Sequence, residues 1–142
     1  MKYDDLDCAG LTKHIHDKME KGANEKLARL GLTFAQMQML MTLYRMKNDS
    51  VPLKALERHF EVAQSTAAGL IVRLERKGLV ESFAPSEDRR LKYVRLTEKG
   101  KEICATSEED AKEGDRILLS GLDEEERIQF YHLLTKIKNN LK

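Results

Sequence analysis

Gln64, Ser65 and Thr66 in a row, Arg73 two turns further on, and a separate Asp88-Arg89-Arg90 cluster are the groups in this chain whose types and spacing suggest chemistry. That chemistry is recognition rather than bond-making. Short amide and hydroxyl side chains at a helix start can hydrogen-bond base edges or phosphates without a steric cost. An arginine two turns later reaches a phosphate, and paired arginines at a turn suit a narrow minor groove, where negative potential is strongest. Each piece also has a plainer reading. Gln-Ser-Thr serves equally as a cap and first turn, and a Glu-Asp-Arg-Arg turn serves as a solvated hairpin. Their order within one stretch favours a nucleic-acid contact.

Other chemistries find little support. There is no Gly-rich phosphate loop, nucleophile motif or close acid/base pair in an apolar setting, so no enzyme and no cofactor is expected. Cys8 and Cys104 lie far apart without a C-x-x-C spacing, which excludes a disulfide framework or zinc ribbon. His14, His16, His59 and His132 form no metal set, and His14 and His16, two apart, point to different sides of a helix. The acids Asp5 and Asp7 beside Cys8 disfavour a reactive thiolate there.

The 142 residues are enough for one domain with a real core. Charged residues make up 35% of the chain, yet its net charge is only +1. The distribution is uneven: residues 51–100 hold ten Lys/Arg against seven Asp/Glu, net +3, and the remainder is net −2. A basic middle between acidic ends suits a segment that meets an anion. No apolar run approaches a membrane span and no signal-peptide pattern opens the chain, so a reduced cytoplasmic location is expected.

The elements that must position the candidate groups are legible from periodicity and punctuation. A first helix is predicted from about Asp4 to Leu30, with Leu6, Leu11, Ile15 and Met19 at helical spacing and Gly22 as an interruption. Gly31-Leu32-Thr33 reads as a stop and a start, with Thr33 and Gln36 as a capping box. The second helix runs to about Met46 with Met37, Leu40, Met41 and Tyr44 on one face. Pro52 suits the first turn of a short third helix, Leu53 to about Phe60. After the turn Glu61-Val62-Ala63, a fourth helix spans about Gln64 to Lys77, with Ala67, Leu70, Ile71 and Leu74 inward. Gly78 ends it in a left-handed conformation. The period then becomes two: strands at residues 79–83 and 91–96 flank the cationic turn 84–90. Thr97 caps a fifth helix to about Ser120, and Asp123 with Glu126 caps a sixth. The fold class is mainly α with a β-hairpin wing: a winged helix-turn-helix with further helices at both ends.

In these residues the chain resembles the MarR family of regulators. The resemblance is carried by Ser65-Thr66, Leu70, residues 74–80 (LERKGLV), Asp88-Arg89-Arg90 and residues 96–100 (LTEKG). Its wing signature, an Asp-x-Arg followed by Leu-Thr, is matched by Asp88, Arg90, Leu96 and Thr97. The resemblance implies a homodimeric transcription regulator on double-stranded DNA at a pseudo-palindromic operator, commonly a repressor released by a small-molecule effector. It also implies that Arg90 enters the minor groove while Asp88 holds it. Ala63, Gly69 and Val72 depart from the pattern, making the recognition helix less polar than is usual and giving the wing a larger share of affinity.

Three further expectations follow. Residues 1–32 and 101–142 would be dimerisation helices around a DNA-binding domain at 33–100, in one intertwined unit. Their stripes, Leu6–Leu11–Ile15 and Phe130–Leu133–Leu134–Ile137–Leu141, need a cover, from the partner or from an intrachain bundle. An effector pocket would be lined by Met37, Met41 and Tyr44 with His14 or Ile15 opposite, although a Met stripe at helical spacing is also ordinary core. Some relatives sense peroxide through a cysteine near Cys8, and a winged helix can also serve only to dock protein. Those are the two alternatives to effector-controlled DNA binding.

Overall fold

The computed structural model describes residues 6–141. It comprises six helices and three short strands: α1 (Cys8–Leu30), α2 (Phe34–Met46), β1 (Val51–Pro52), α3 (Leu53–Phe60), α4 (Gln64–Arg76), β2 (Val80–Phe83), β3 (Tyr93–Leu96), α5 (Glu98–Leu118) and α6 (Glu124–Asn140). The chain divides into two compact units, one ending at Thr106 and one beginning at Ser107.

The caps explain where the helices begin and end. The Asp7 side chain accepts from the Gly10 amide and starts α1, and Gly31 stops it with φ 68°. Asp4 and Asp5, in the predicted helix start, lie outside the described residues. Gly22 does not interrupt: α1 runs through it, since a single glycine costs only about 1 kcal/mol of helix propensity. Thr33 and Gln36 form the expected capping box on α2, as do Asp123 and Glu126 on α6. Gly78, at φ 73°, turns the chain out of α4, with its amide on the Glu75 carbonyl (2.9 Å).

The core of the first unit gathers Met39, Leu40 and Leu43 of α2, Leu56 of α3, Ile71 and Leu74 of α4, and Leu79, Val80, Val94 and Cys104. The buried face of α2 is Gln36–Met39–Leu40–Met41–Leu43, turned by about one residue from the predicted Met37–Leu40–Met41–Tyr44. Leu40 and Met41 belong to both; Met37 and Tyr44 flank the core half-buried. Helix periodicity alone could not separate these faces, because α2 is apolar around most of its circumference.

The wing is a three-stranded antiparallel sheet in the order β1-β3-β2, not the expected hairpin alone. Val51 pairs with Val94 and Pro52 with Tyr93, and β2 pairs with β3 from Val80↔Leu96 to Phe83↔Tyr93. A proline, lacking an N–H, is tolerated on such an edge strand. Two residues are too short to show a period, and Pro52 read as a helix start; it is in fact both the end of β1 and the N-cap of α3.

One contact joins these elements at the base of the wing. A Cβ on Gly100 would stand 2.2 Å from the Leu79 carbonyl oxygen, a backbone atom with no freedom to swing aside. Gly100→Ala should therefore destabilise the unit by about 1–3 kcal/mol through overpacking. Urea unfolding should show a lower midpoint at unchanged slope; an unchanged midpoint would mean that the first turn of α5 shifts without cost.

Candidate nucleic-acid interface

The helix pair α3 and α4 is joined by a tight turn in which Glu61 takes φ 52°. The Glu61 amide donates to Arg58 (3.2 Å) and the Val62 amide to Glu57 (3.2 Å), closing α3. Ala63 then caps α4 without a side-chain hydrogen bond. α4 buries Ala67, Ile71 and Leu74, with Leu70 half-buried. This fixes the helix's rotation and leaves Gln64, Ser65, Thr66, Val72, Arg73 and Arg76 exposed. All four of the expected α4 residues are thus on the solvent side.

The far end of α4 is anchored by polar ties. The Lys77 ammonium donates to Gln36 Oε1 (2.8 Å) and to the Gly31 carbonyl, and the Thr33 amide donates to the same Gln36 oxygen (3.2 Å). Gln36, the buried polar side chain of this core, is thereby satisfied. Glu75 Oε1 accepts from the Ser82 amide (2.8 Å) and from the Ser82 hydroxyl, fastening α4 to β2. These ties set the angle between the helix and the wing, an angle the sequence pattern does not express.

At the wing tip, Asp88 grips Arg90. Its Oδ1 accepts from the Arg90 amide (3.0 Å) and from Nε (3.0 Å), and its Oδ2 accepts from Nη2 (3.2 Å). The Arg90 side chain nevertheless remains 91% exposed. A cation held by its own turn and presented to solvent loses less entropy on meeting a phosphate than a free one. The Arg90 guanidinium, then its amide and the nearby Lys54 charge, hold the Asp88 carboxyl below its ordinary value. Arg89 is exposed beside them. Lower on the wing, Arg95 pairs with Glu81 (2.9 Å) and lies 4.8 Å over the Phe83 ring, a contact the sequence reading did not single out.

Of the five residues expected at an effector pocket, Met37, Met41 and Tyr44 lie together in and against the core, and the two of α1 lie at its surface. Met41 lies in the core, Met37 flanks it, and His14 and Ile15 are exposed on α1. Tyr44 lines a pocket of about 180 Å³ with Leu43, Lys47, Val51, Leu96 and Lys101. That is smaller than the roughly 300 Å³ usual for a drug-sized ligand. Cys8 is exposed in the first turn of α1, next to Asp7, whose carboxylate caps the helix; Asp5 lies outside the described residues. Cys104 is fully buried.

The sequence profile of the MarR family matches residues 30–91, the stretch from the end of α1 through the wing tip. Over that stretch the chain is similar to the MarR family. The HTH-type transcriptional regulator YybA of Bacillus subtilis (strain 168) is 26% identical over 119 residues, covering 84% of this chain and 78% of that protein. The transcriptional repressor MprA of Escherichia coli (strain K12) is 27% identical over 101 residues, 71% of this chain and 57% of its own length. Among solved structures, a Staphylococcus aureus MepR–DNA complex matches with a TM-score of 0.74 at 27% identity, over 96% of this chain and 100% of that one. The architecture seen here is thus the winged-helix fold of that solved structure.

Because the Asp88 carboxyl is depressed, its grip on Arg90 is complete above the ordinary carboxylate range and is lost only as pH falls through the lowered value. The affinity ratio of wild type to Asp88→Asn for any polyanion bound at the wing should stay flat from about pH 5 to about pH 8. A ratio that changes within that window would show that another titrating group governs the wing.

Proposed function

We propose that this chain is a DNA-binding transcriptional regulator that acts as a homodimer, placing α4 in the major groove and Arg90 in the adjacent minor groove. One observation carries the reading: the grip of Asp88 on a fully presented Arg90, on a wing fastened to a helix whose outward side is free. A major groove about 12 Å wide admits one helix, and the wing then falls over flanking phosphates. The names of its relatives agree, MprA being a repressor and MepR having been solved on DNA. Gln64, Ser65, Thr66 and Arg73 supply contacts to bases and phosphates, with Arg89 beside Arg90.

The dimer reading rests on exposed apolar surface. In α6, Leu133, Leu134 and Ile137 are 58%, 44% and 56% exposed, and in α1 Leu11, Ile15 and Met19 are 65%, 43% and 48% exposed. Stripes of this kind mark a protein interface. A two-fold dimer would also set two recognition helices about 34 Å apart, one turn of DNA, over a pseudo-palindromic operator. Among the described residues no helix is long and apolar enough to cross a membrane. We place the regulator in the cytoplasm, where its DNA is, and assign it no reaction. Repression relieved by a small effector is the form of control we propose, with the Tyr44 pocket as the place for a compact ligand. An effector acts only through its differential affinity for two spacings of the recognition helices.

Titration against the DNA flanking its own gene at two salt concentrations tests the central reading. Binding should be site-preferring and weaken steeply with salt, with a log–log slope of about −0.9 per phosphate contact. Arg90→Ala should lose about tenfold or more in affinity, in keeping with the roughly 1–3 kcal/mol of one good contact, while the dimer stays intact. Salt-indifferent association without sequence preference would instead favour a winged helix that docks protein. Leu134→Glu should give monomeric or insoluble protein in sedimentation velocity; a well-behaved dimer would place the interface elsewhere.

A further inference from the structure

We infer that the outward face of α4 reads an A·T base pair through the thymine 5-methyl group, which Val72 meets across space left open by Gly69. The inference deepens the DNA-binding reading and depends on it. With 3.6 residues per turn, Gly69 lies at the middle of the outward face, one turn from Ser65 and Thr66 on one side and from Val72 and Arg73 on the other. Nothing in the fold requires a glycine there. A Cβ at residue 69 would meet no atom within 4 Å, and Gly69 is not among the glycines with positive φ. Glycine is the poorest helix former short of proline, so the helix tolerates it against its own stability. The physical use that remains is close approach of another molecule to the helix backbone.

Val72 shows what kind of molecule fits. It is 43% exposed although the opposite side of α4 has a core to enter, and it stands beside Arg73. An apolar side chain on the outward face of a groove-entering helix cannot take a hydrogen bond from a base. Among the four bases only thymine offers a methyl in the major groove, and apolar side chains recognise it by contact. Ser65 and Thr66 stand two turns earlier on the outward side, placed to hydrogen-bond base edges further along the groove.

The test uses the full chain and a random-sequence duplex library. Selected half-sites should share a thymine, which is then replaced by deoxyuridine, a change that removes the methyl and leaves every hydrogen-bonding group. Loss of one methyl contact should weaken binding about fourfold. Val72→Ala should bind the thymine and deoxyuridine sites alike, and Val72→Ile should still tell them apart. Gly69→Ala should raise Tm yet weaken binding to the selected site, opposite directions that a purely structural role cannot produce. If specific sites are selected but no thymine is methyl-sensitive, or Val72→Ala keeps the distinction, the inference is overturned while DNA binding stands. If no sequence is enriched at all, the DNA-binding reading fails and takes this inference with it.

Discussion

Between the Leu79 carbonyl and the α-carbon of Gly100 there is no room for a side chain, and around that contact the first unit closes. The Thr97 amide donates to the Leu79 oxygen (3.1 Å), and its hydroxyl donates to the Gly78 carbonyl (2.7 Å) while accepting from the Gly100 amide (3.1 Å). Three junctions meet there: the end of α4, the first strand of the wing and the start of α5. The Leu-Thr-Glu-Lys-Gly run at residues 96–100 is therefore a joint. Its glycine sets how near the elements come, and its threonine satisfies the backbone groups that this nearness would otherwise leave unpaired.

That joint holds the end of α4 against the wing. A helix offered to a groove must hold its angle against the wing, or affinity is lost to ordering on binding. Here α4 is held along its length: Ala67, Ile71 and Leu74 enter the core, Glu75 ties it to β2, and Lys77 ties its end to Gln36 and Gly31. The exposed Arg90 is steadied by its own neighbour rather than by the core. The outward middle of α4 is a glycine with an exposed valine one turn on.

Much of this was legible in the residues. Capping boxes at Thr33 and Asp123, glycine stops at Gly31 and Gly78, and the change of period after residue 78 are local signals, each needing only its own few neighbours. The candidate DNA contacts were legible for the same reason, since they stand at a helix start and a turn. Other features were hidden. β1 is two residues long and exists because β3 lies beside Val51 and Pro52. The true inward face of α2 was masked by methionines on several sides, and the continuity of α1 by a glycine that the rest of the helix carries.

The amino-acid sequence by itself determined where helices start and stop, the order of helix, turn, helix and wing, and the likeness of residues 30–91 to the MarR family. These are set by backbone propensities and hydrogen bonds spanning three or four residues. Tertiary structure alone decided the rotation of α2 and α4, the third strand, and the Gln36–Lys77 tie across 41 residues. Each of those depends on which surfaces come to share one apolar interior. That is a property of the whole packed unit, and no window of sequence contains it.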